Sequence, residues 1–167
     1  MMRLACRSHA SRSSRVYAPA VSAGLRAFAV GVRLAREEPL GAHLSRMLLI
    51  AAGGALGALL RYWATMGVHG LLGRGFPYGT LTVNVLGSLL IGLLSVLLVD
   101  RFDISPAWRA GIIIGGLGAF TTFSTFSIET LNLLEQGEIA RGVANAILNF
   151  ALCLVATWGG LLMGRQL

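Results

Sequence analysis

Residues 115–127 read Gly-Gly-Leu-Gly-Ala-Phe-Thr-Thr-Phe-Ser-Thr-Phe-Ser, and this stretch decides how the chain must fold. It lies inside an apolar run long enough to cross a bilayer, yet it contains three glycines and five hydroxyl side chains. Glycine loses much backbone entropy on folding, and hydroxyls compete for backbone hydrogen bonds. We therefore expect a membrane-spanning helix that breaks within residues 118–121. In a bilayer, such a break is tolerated only where protein or a polar cavity satisfies the backbone.

Three more apolar stretches accompany this one, each of about 20 residues, the length of a membrane span. The four predicted spans cover residues 47–68, 80–99, 108–134 and 142–163. Short loops that contain glycine, proline or charged residues separate them. The 167 residues are 55% hydrophobic and only 13% charged, which is too apolar for a water-soluble domain. The predicted fold is therefore an all-α integral membrane protein with four transmembrane helices.

Residues 1–46 have a different composition, with eight Arg and two Glu against six Arg and five acidic residues in 47–167. The segment fits an organellar transit peptide, a disordered basic tail, or upstream sequence read from a wrongly assigned start codon. The last is favoured because Met47 begins the first strongly apolar stretch. Most of the net charge of +7 lies in this segment, so the body has no basic face and we expect no nucleic-acid partner.

Small and polar side chains recur every three or four residues along three of the spans. They are Gly53, Gly57 and Arg61 in the first, Thr80, Asn84, Ser88 and Gly92 in the second, and Asn145, Asn149 and Cys153 in the fourth. A single stripe of this kind is typical of close helix packing in membranes. Several stripes together with the hydroxyls of the third span indicate a lined polar pathway, because polar groups in hydrocarbon need a partner or a water-filled path.

The third span also carries groups suited to an anion. Phe123 and Phe126 are three residues apart and share a helix face, and aromatic ring edges carry the positive part of the quadrupole. Together with the hydroxyls of Ser124 and Thr125 and the amide of Asn84, these edges can replace the water around a small anion. Backbone carbonyls exposed by the break are candidate cation ligands.

The run from Gly118 to Phe126 resembles the signature of the CrcB/Fluc family of fluoride channels. Two further blocks support the resemblance: Gly53-Gly54-Ala55-Leu56-Gly57-Ala58 followed by Arg61-Tyr62, and Pro77-Tyr78-Gly79-Thr80-Leu81 followed by Val83-Asn84 and Gly87. The resemblance covers 47–167 in order and leaves 1–46 unmatched. Ala119 is a mild departure, since many relatives have glycine there.

The resemblance implies an antiparallel, dual-topology homodimer with two fluoride pores and one central, structural sodium ion that is required but not transported. The carbonyls of Gly118 and Thr121 from both subunits would hold the sodium. The implied fluoride pathway consists of Asn84, Phe123, Ser124, Thr125, Phe126, Asn145 and Asn149, with Cys153 continuing the same face. Arg61 would lie at the vestibule, although a position near the end of a span also suits an arginine that merely snorkels to the interface.

The function implied is passive export of fluoride across a bacterial inner membrane, which lowers its cytoplasmic concentration. The implied partners are fluoride, membrane lipid and a second copy of the chain. Outside the predicted tail, Arg101, Arg109 and Arg165 would face one side of the membrane and Arg74 and Arg141 the other. Three arginines against two is too weak a bias to fix one orientation in the membrane. A dimer whose copies insert in opposite orientations requires such a near balance.

Two other classes of protein were weighed against a channel. A small four-helix exporter of cations driven by protons needs a carboxylate on the first span, and residues 47–68 contain no acid. A membrane-bound enzyme would need a nucleophile with a base or a metal-ligand cluster, and His69 and the serines come in no such pattern. We therefore expect no enzymatic activity. Glu129, the acid within a span, fits a vestibule or helix-end position.

Overall fold

The computed structural model describes residues 39–102 and 104–167, which form helices joined by short turns. The first helix, α1, covers Leu40–Leu72, and α2 covers Tyr78–Val96 and continues as a π-helical turn over Leu97–Arg101. The next four segments form the third span: α3 (Pro106–Ala110), a π-helix (Gly111–Leu117) and α4 (Gly118–Phe120) are contiguous, and α5 (Phe123–Glu135) begins after two intervening residues. The last helix, α6, covers Ile139–Gln166.

Four helical stretches in this part of the chain are long and apolar enough to cross a membrane: Leu40–Leu72, Tyr78–Val99, Pro106–Glu135 and Ile139–Gln166. The all-α, four-span prediction is therefore confirmed. Each predicted span lies inside a longer helix, and α1 begins at Leu40 rather than at Met47. The rest of the predicted tail, residues 1–38, lies outside the described residues.

Two turns depend on glycine in the left-handed conformation, with φ of 77° at both Gly73 and Gly137. Gly73 ends α1, and its N–H donates to the His69 carbonyl at 3.0 Å, which is a common way to close a helix. Gly137 reverses the chain between α5 and α6. Other residues adopt this backbone conformation at a steric cost, so both turns are encoded by glycine.

Helices α2 and α6 cross at two glycines that let their backbones touch. A Cβ atom at Gly92 would collide with the carbonyl of Thr157, and one at Gly160 would collide with the carbonyl of Leu89. Close approach over small residues is how membrane helices gain van der Waals contact in the absence of a hydrophobic driving force. This crossing fixes α2 against α6.

A second glycine contact joins α1 to the π-helical part of the third span. A Cβ at Gly53 would collide with the carbonyl of Gly111, and one at Gly57 with the carbonyl of Gly116. The stripe of Gly53 and Gly57 in the sequence is thus a packing face.

The interior of the protein is polar and its surface is apolar. The buried polar residues are Thr80, Asn84, Thr122, Asn145 and Asn149. Large apolar side chains such as Trp63, Trp108, Phe150 and Trp158 are more than half exposed. This inversion suits a protein whose outer faces meet hydrocarbon or another apolar surface. The interior is therefore the place where a polar solute can be received.

A polar interruption in the third span as the candidate functional site

The third span has a gap in its helical backbone between α4 and α5. Thr121 has φ −85° and ψ 161°, and Thr122 has φ −153° and ψ 111°, so both residues are extended. The Thr122 hydroxyl caps α5 by accepting a hydrogen bond from the Thr125 N–H at 3.2 Å. Its own proton is donated to the Thr125 hydroxyl at 2.9 Å. The new helix therefore starts with its own side-chain cap.

At the gap, the carbonyls of Gly118 and Thr121 lose their helical partners. In a continuous helix the Gly118 carbonyl accepts from the Thr122 N–H, but that N–H donates instead to Asn84 Oδ1 at 2.8 Å. The Thr121 carbonyl would accept from the Thr125 N–H, which is taken by the Thr122 hydroxyl. Both oxygens have thus left the helical ladder.

Arg61 of α1 reaches this gap. Its Nη1 lies 3.4 Å from the Thr121 carbonyl oxygen and donates to it. The side chain is half-buried, so the positive charge stands at the gap itself. From the sequence, Arg61 was predicted to lie at a vestibule, where its positive charge would help to attract an anion.

Asn84 on α2 holds the extended backbone of Thr122 from two sides. Its Oδ1 accepts from the Thr122 N–H at 2.8 Å, and its Nδ2 donates to the Thr122 carbonyl at 3.1 Å. The same Nδ2 donates to Asn149 Oδ1 at 3.0 Å, so the amide engages three polar atoms in a buried position. Asn84 therefore performs the pairing that the missing helical turn would otherwise supply.

Asn149 and Asn145 extend this pairing along α6. Asn149 Nδ2 donates to Asn145 Oδ1 at 2.9 Å and to the Asn145 carbonyl at 3.1 Å. Asn145 Nδ2 then donates to the Thr130 hydroxyl at 2.8 Å, and that hydroxyl donates to the Phe126 carbonyl at 2.7 Å. We call this series, Asn84, Asn149, Asn145 and Thr130, the amide relay. It joins α2, α6 and α5.

A cavity of about 560 Å³ opens beside the gap. The predicted site residues that line it are Asn84, Gly118, Thr121, Phe123, Phe126 and Asn149, together with Cys153. The rings of Phe123 and Phe126 have centroids 5.3 Å apart and planes tilted by 58°. The cavity thus brings together two aromatic side chains, the amides of Asn84 and Asn149, and the residues whose carbonyls have left the helical ladder.

Three predicted pathway residues stand elsewhere within the described part of the chain. Ser124 and Thr125 do not line the cavity, and their hydroxyls lie 3.3 Å and 2.9 Å from that of Thr122. Asn145 is 0% exposed and also does not line it.

Thr122 and Thr130 were not among the site residues predicted from sequence. Thr130 follows Phe126 by four residues, and threonine hydroxyls in helices commonly donate to the carbonyl four residues earlier. Nothing in the sequence shows that Asn145 lies opposite it.

A second cavity, of about 640 Å³, is lined by charged groups from α1, the following loop, α5 and the start of α6. These groups are His69, Arg74, Glu129, Glu138 and Arg141. Oε2 of Glu129 is buried and has no hydrogen-bond partner among the described residues. Glu138 and Arg141 form an ion pair at 3.5 Å, but both are about half exposed, so the pair adds little to stability. Glu129 is thus placed in a polar vestibule.

Four spans with buried, hydrogen-bonded polar residues between them define the class: a small multi-pass membrane protein with a cavity beside a non-helical segment. The family described as "CrcB-like protein, Camphor Resistance (CrcB)" matches residues 48–161, and the chain belongs to this family.

Curated relatives agree with this membership. A protein of Geobacter sulfurreducens named "Fluoride-specific ion channel FluC" is 48% identical over 124 residues, which is 74% of this chain and all of that protein. One of the same name from Alteromonas mediterranea is 52% identical over 116 residues, 69% of this chain and 91% of the relative. A third, from Methylococcus capsulatus, is 50% identical over 121 residues, 72% of this chain; the match spans only about half (53%) of that longer protein.

Proposed function

We propose that this protein is a fluoride-selective channel that lets fluoride leave the cytoplasm passively and so reduces its toxicity. The observation that carries the proposal is the cavity at the gap, where Phe123, Phe126 and Asn84 converge. Relatives that are about half identical are named fluoride-specific ion channels, and none of these names describes an enzyme.

The groups around the cavity suit fluoride for a physical reason. Fluoride is small and strongly hydrated, so a pore must replace its water with compact donors. The ring edges of Phe123 and Phe126 carry partial positive charge without a hydration shell of their own. Asn84 Nδ2 donates its two protons to the Thr122 carbonyl and to Asn149 Oδ1, so it would donate to fluoride by exchanging one of these bonds. The larger chloride ion needs a wider passage, so a narrow path lined in this way favours fluoride.

The proposed channel is an antiparallel homodimer whose two copies insert in opposite orientations. Phe123 is 79% exposed on a single chain, although it belongs to the proposed pathway. A second copy against this surface would enclose it. An apolar cavity of about 870 Å³ that is lined by Trp63, Trp108 and Phe120 offers further surface for such packing. The near balance of arginines on the two sides of the membrane is compatible with both orientations.

A structural sodium ion is proposed at the gap, held by the carbonyls of Gly118 and Thr121. Unwound backbone carbonyls are typical sodium ligands in membrane proteins, and both oxygens here have left the helical ladder. The two residues supply neutral oxygens of the kind that suits the ion, but the Thr121 oxygen also accepts from Arg61 Nη1 at 3.4 Å, so the ion would displace that contact. Two oxygens from one chain leave room for equivalent oxygens from a second copy. When bound, the ion would add a fixed positive charge close to the fluoride path.

The proposed location is the inner membrane of a bacterium, with lipid around the outer faces. Support comes from the four spans and from the bacterial relatives. A proton-coupled cation exporter would need a carboxylate on the first span, and residues 47–68 contain none.

The test is ion release from liposomes that contain the purified full-length protein. Fluoride release should greatly exceed chloride release, and liposomes without protein should release neither. Equal release of the two anions, or none of either, would refute the proposal.

A further inference from the structure

We propose that Thr130 and Asn145 are positioning residues for conduction. Their mutual hydrogen bond contacts no ion, and it fixes both the segment that carries Phe126 and, through Asn149 and Asn84, the backbone of Thr122. This inference rests on the proposed channel function, but one of its two measurements does not depend on ion flux.

Thr130 is the point where the amide relay meets the aromatic segment. Its hydroxyl donates to the Phe126 carbonyl at 2.7 Å and accepts from Asn145 Nδ2 at 2.8 Å. A hydroxyl has one proton to donate, so these two bonds give it a definite orientation. The turn of α5 that presents the Phe126 ring is thereby tied to α6.

The other end of the amide relay holds the backbone of Thr122 at the gap. Asn145 Oδ1 accepts from Asn149 Nδ2 at 2.9 Å, and Asn149 Oδ1 accepts from Asn84 Nδ2 at 3.0 Å. Asn84 in turn pairs with both polar atoms of the Thr122 backbone. Each amide therefore has its oxygen and its nitrogen assigned by its neighbours. A change at Thr130 or Asn145 is passed along the series to Thr122.

Burial makes this arrangement selective for one geometry. Asn145 is 0% exposed and Asn149 is 5% exposed, so water cannot substitute readily for a lost partner. A buried amide without a hydrogen-bond partner costs free energy. Linked hydrogen bonds in a low-dielectric interior also strengthen one another. Displacements of about 1 Å in a supporting residue are enough to impair a site.

Neither Thr130 nor Asn145 lines the cavity beside the gap, within the part of the chain that the structure describes. Their influence on an ion there must therefore act through Phe126 and Thr122. This separates them from Asn84 and Asn149, which do line it.

The first experiment measures fluoride release from liposomes for Thr130→Val and Thr130→Ser. Valine keeps the shape and removes the hydroxyl, whereas serine keeps the hydroxyl. We expect Thr130→Val to lower the flux by about three- to tenfold, the equivalent of one buried hydrogen bond, and Thr130→Ser to stay close to the parent.

Thr157→Val is the matched control. The Thr157 hydroxyl donates to the Cys153 carbonyl at 2.9 Å, which is the same kind of bond outside the relay. Its flux should match that of the parent. The inference is overturned if Thr130→Val conducts fluoride at the parental rate. It is also overturned if Thr130→Ser and Thr157→Val lose as much flux as Thr130→Val.

The second experiment follows hydrogen exchange at the Thr122 amide by NMR of the labelled full-length protein. In Thr130→Val this amide should exchange several-fold faster, and in Thr157→Val at the parental rate. The double variant Thr130→Val/Asn145→Leu should exchange no faster than Asn145→Leu alone, because both changes cut the same bond. The inference is overturned if the exchange rate of the Thr122 amide is the same in Thr130→Val as in the parent. It is also overturned if the two substitutions have additive effects on this rate in the double variant. A parent without fluoride flux refutes the channel while leaving this second measurement intact.

Discussion

Asn84 pairs with the main chain of Thr122 in both directions, accepting from its N–H at 2.8 Å and donating to its carbonyl at 3.1 Å. A side chain on α2 thus supplies what a helical turn of the third span lacks. A gap in a membrane helix leaves backbone groups that hydrocarbon cannot satisfy. This pair of bonds lets the gap exist inside a bilayer.

Asn84→Leu should destabilise the protein strongly. The change removes the partners of the Thr122 N–H, the Thr122 carbonyl and Asn149 Oδ1, so we expect a loss of about 3 kcal/mol or more. Thermal denaturation of the detergent-purified protein measures it. Asn132→Leu is the control, because Asn132 is exposed on α5 and its replacement should cost less than about 0.5 kcal/mol. Equal stability of the two variants would contradict the role given to Asn84.

Phe126→Ile should lower fluoride flux by about three- to tenfold while leaving the oligomeric state unchanged. Isoleucine keeps most of the bulk but has no aromatic edge to present to an anion. The measurement is liposome efflux, combined with size-exclusion chromatography of the same sample. Phe102→Ile changes an exposed ring that follows α2 and should conduct like the parent. An unaltered rate in Phe126→Ile means that this ring only packs.

Removal of sodium should abolish fluoride flux without any sodium passing through the protein. The carbonyls of Gly118 and Thr121 are neutral oxygens suited to a small hard cation, and a large organic cation cannot take its place. The experiment replaces sodium by N-methylglucamine on both sides of the liposome membrane and also follows sodium movement. Full flux in sodium-free medium speaks against the proposed sodium site.

Gly160→Ala and Gly159→Ala form a matched pair of neighbouring substitutions on α6. A Cβ at Gly160 would collide with the Leu89 carbonyl of α2, whereas one at Gly159 has nothing within 4 Å. Gly160→Ala should therefore cost about 1–3 kcal/mol of stability. Gly159→Ala should be neutral or stabilising by up to about 1 kcal/mol, since alanine favours helix. Thermal denaturation measures the stability of the two variants. Equal changes in stability would contradict the close crossing of α2 and α6.

The four spans could be predicted from sequence because an apolar run of sufficient length has few other solutions in a bilayer. Their ends could not be placed as well. The extension of α1 to Leu40 adds helix beyond the apolar run, where hydropathy carries no signal. The π-helix over Gly111–Leu117 was also not predicted; it lies where this span approaches the α1 backbone at Gly53 and Gly57.

The candidate site was predictable where one segment supplies it. Gly118, Thr121, Phe123 and Phe126 lie within nine consecutive residues, and the structure places all four around one cavity. The partnership of Asn145 with Thr130 joins residues on two helices, and only their packing brings them together. A stripe on α6 predicts which face turns inward but not which of its members meets the cavity.

The hydrogen bonds at the gap form within a single chain, and this affects how the protein is inserted and assembled in the membrane. The extended backbone at Thr122 finds its partners in Asn84, and the Thr122 hydroxyl accepts from the Thr125 N–H, so these bonds are all supplied by the same polypeptide. A single copy leaving the translocon can therefore reside in the bilayer before any oppositely inserted copy is nearby. Under the proposed dimeric architecture, assembly then becomes a lateral encounter between finished subunits. Its rate should rise with the square of their density in the membrane rather than depend on cotranslational pairing.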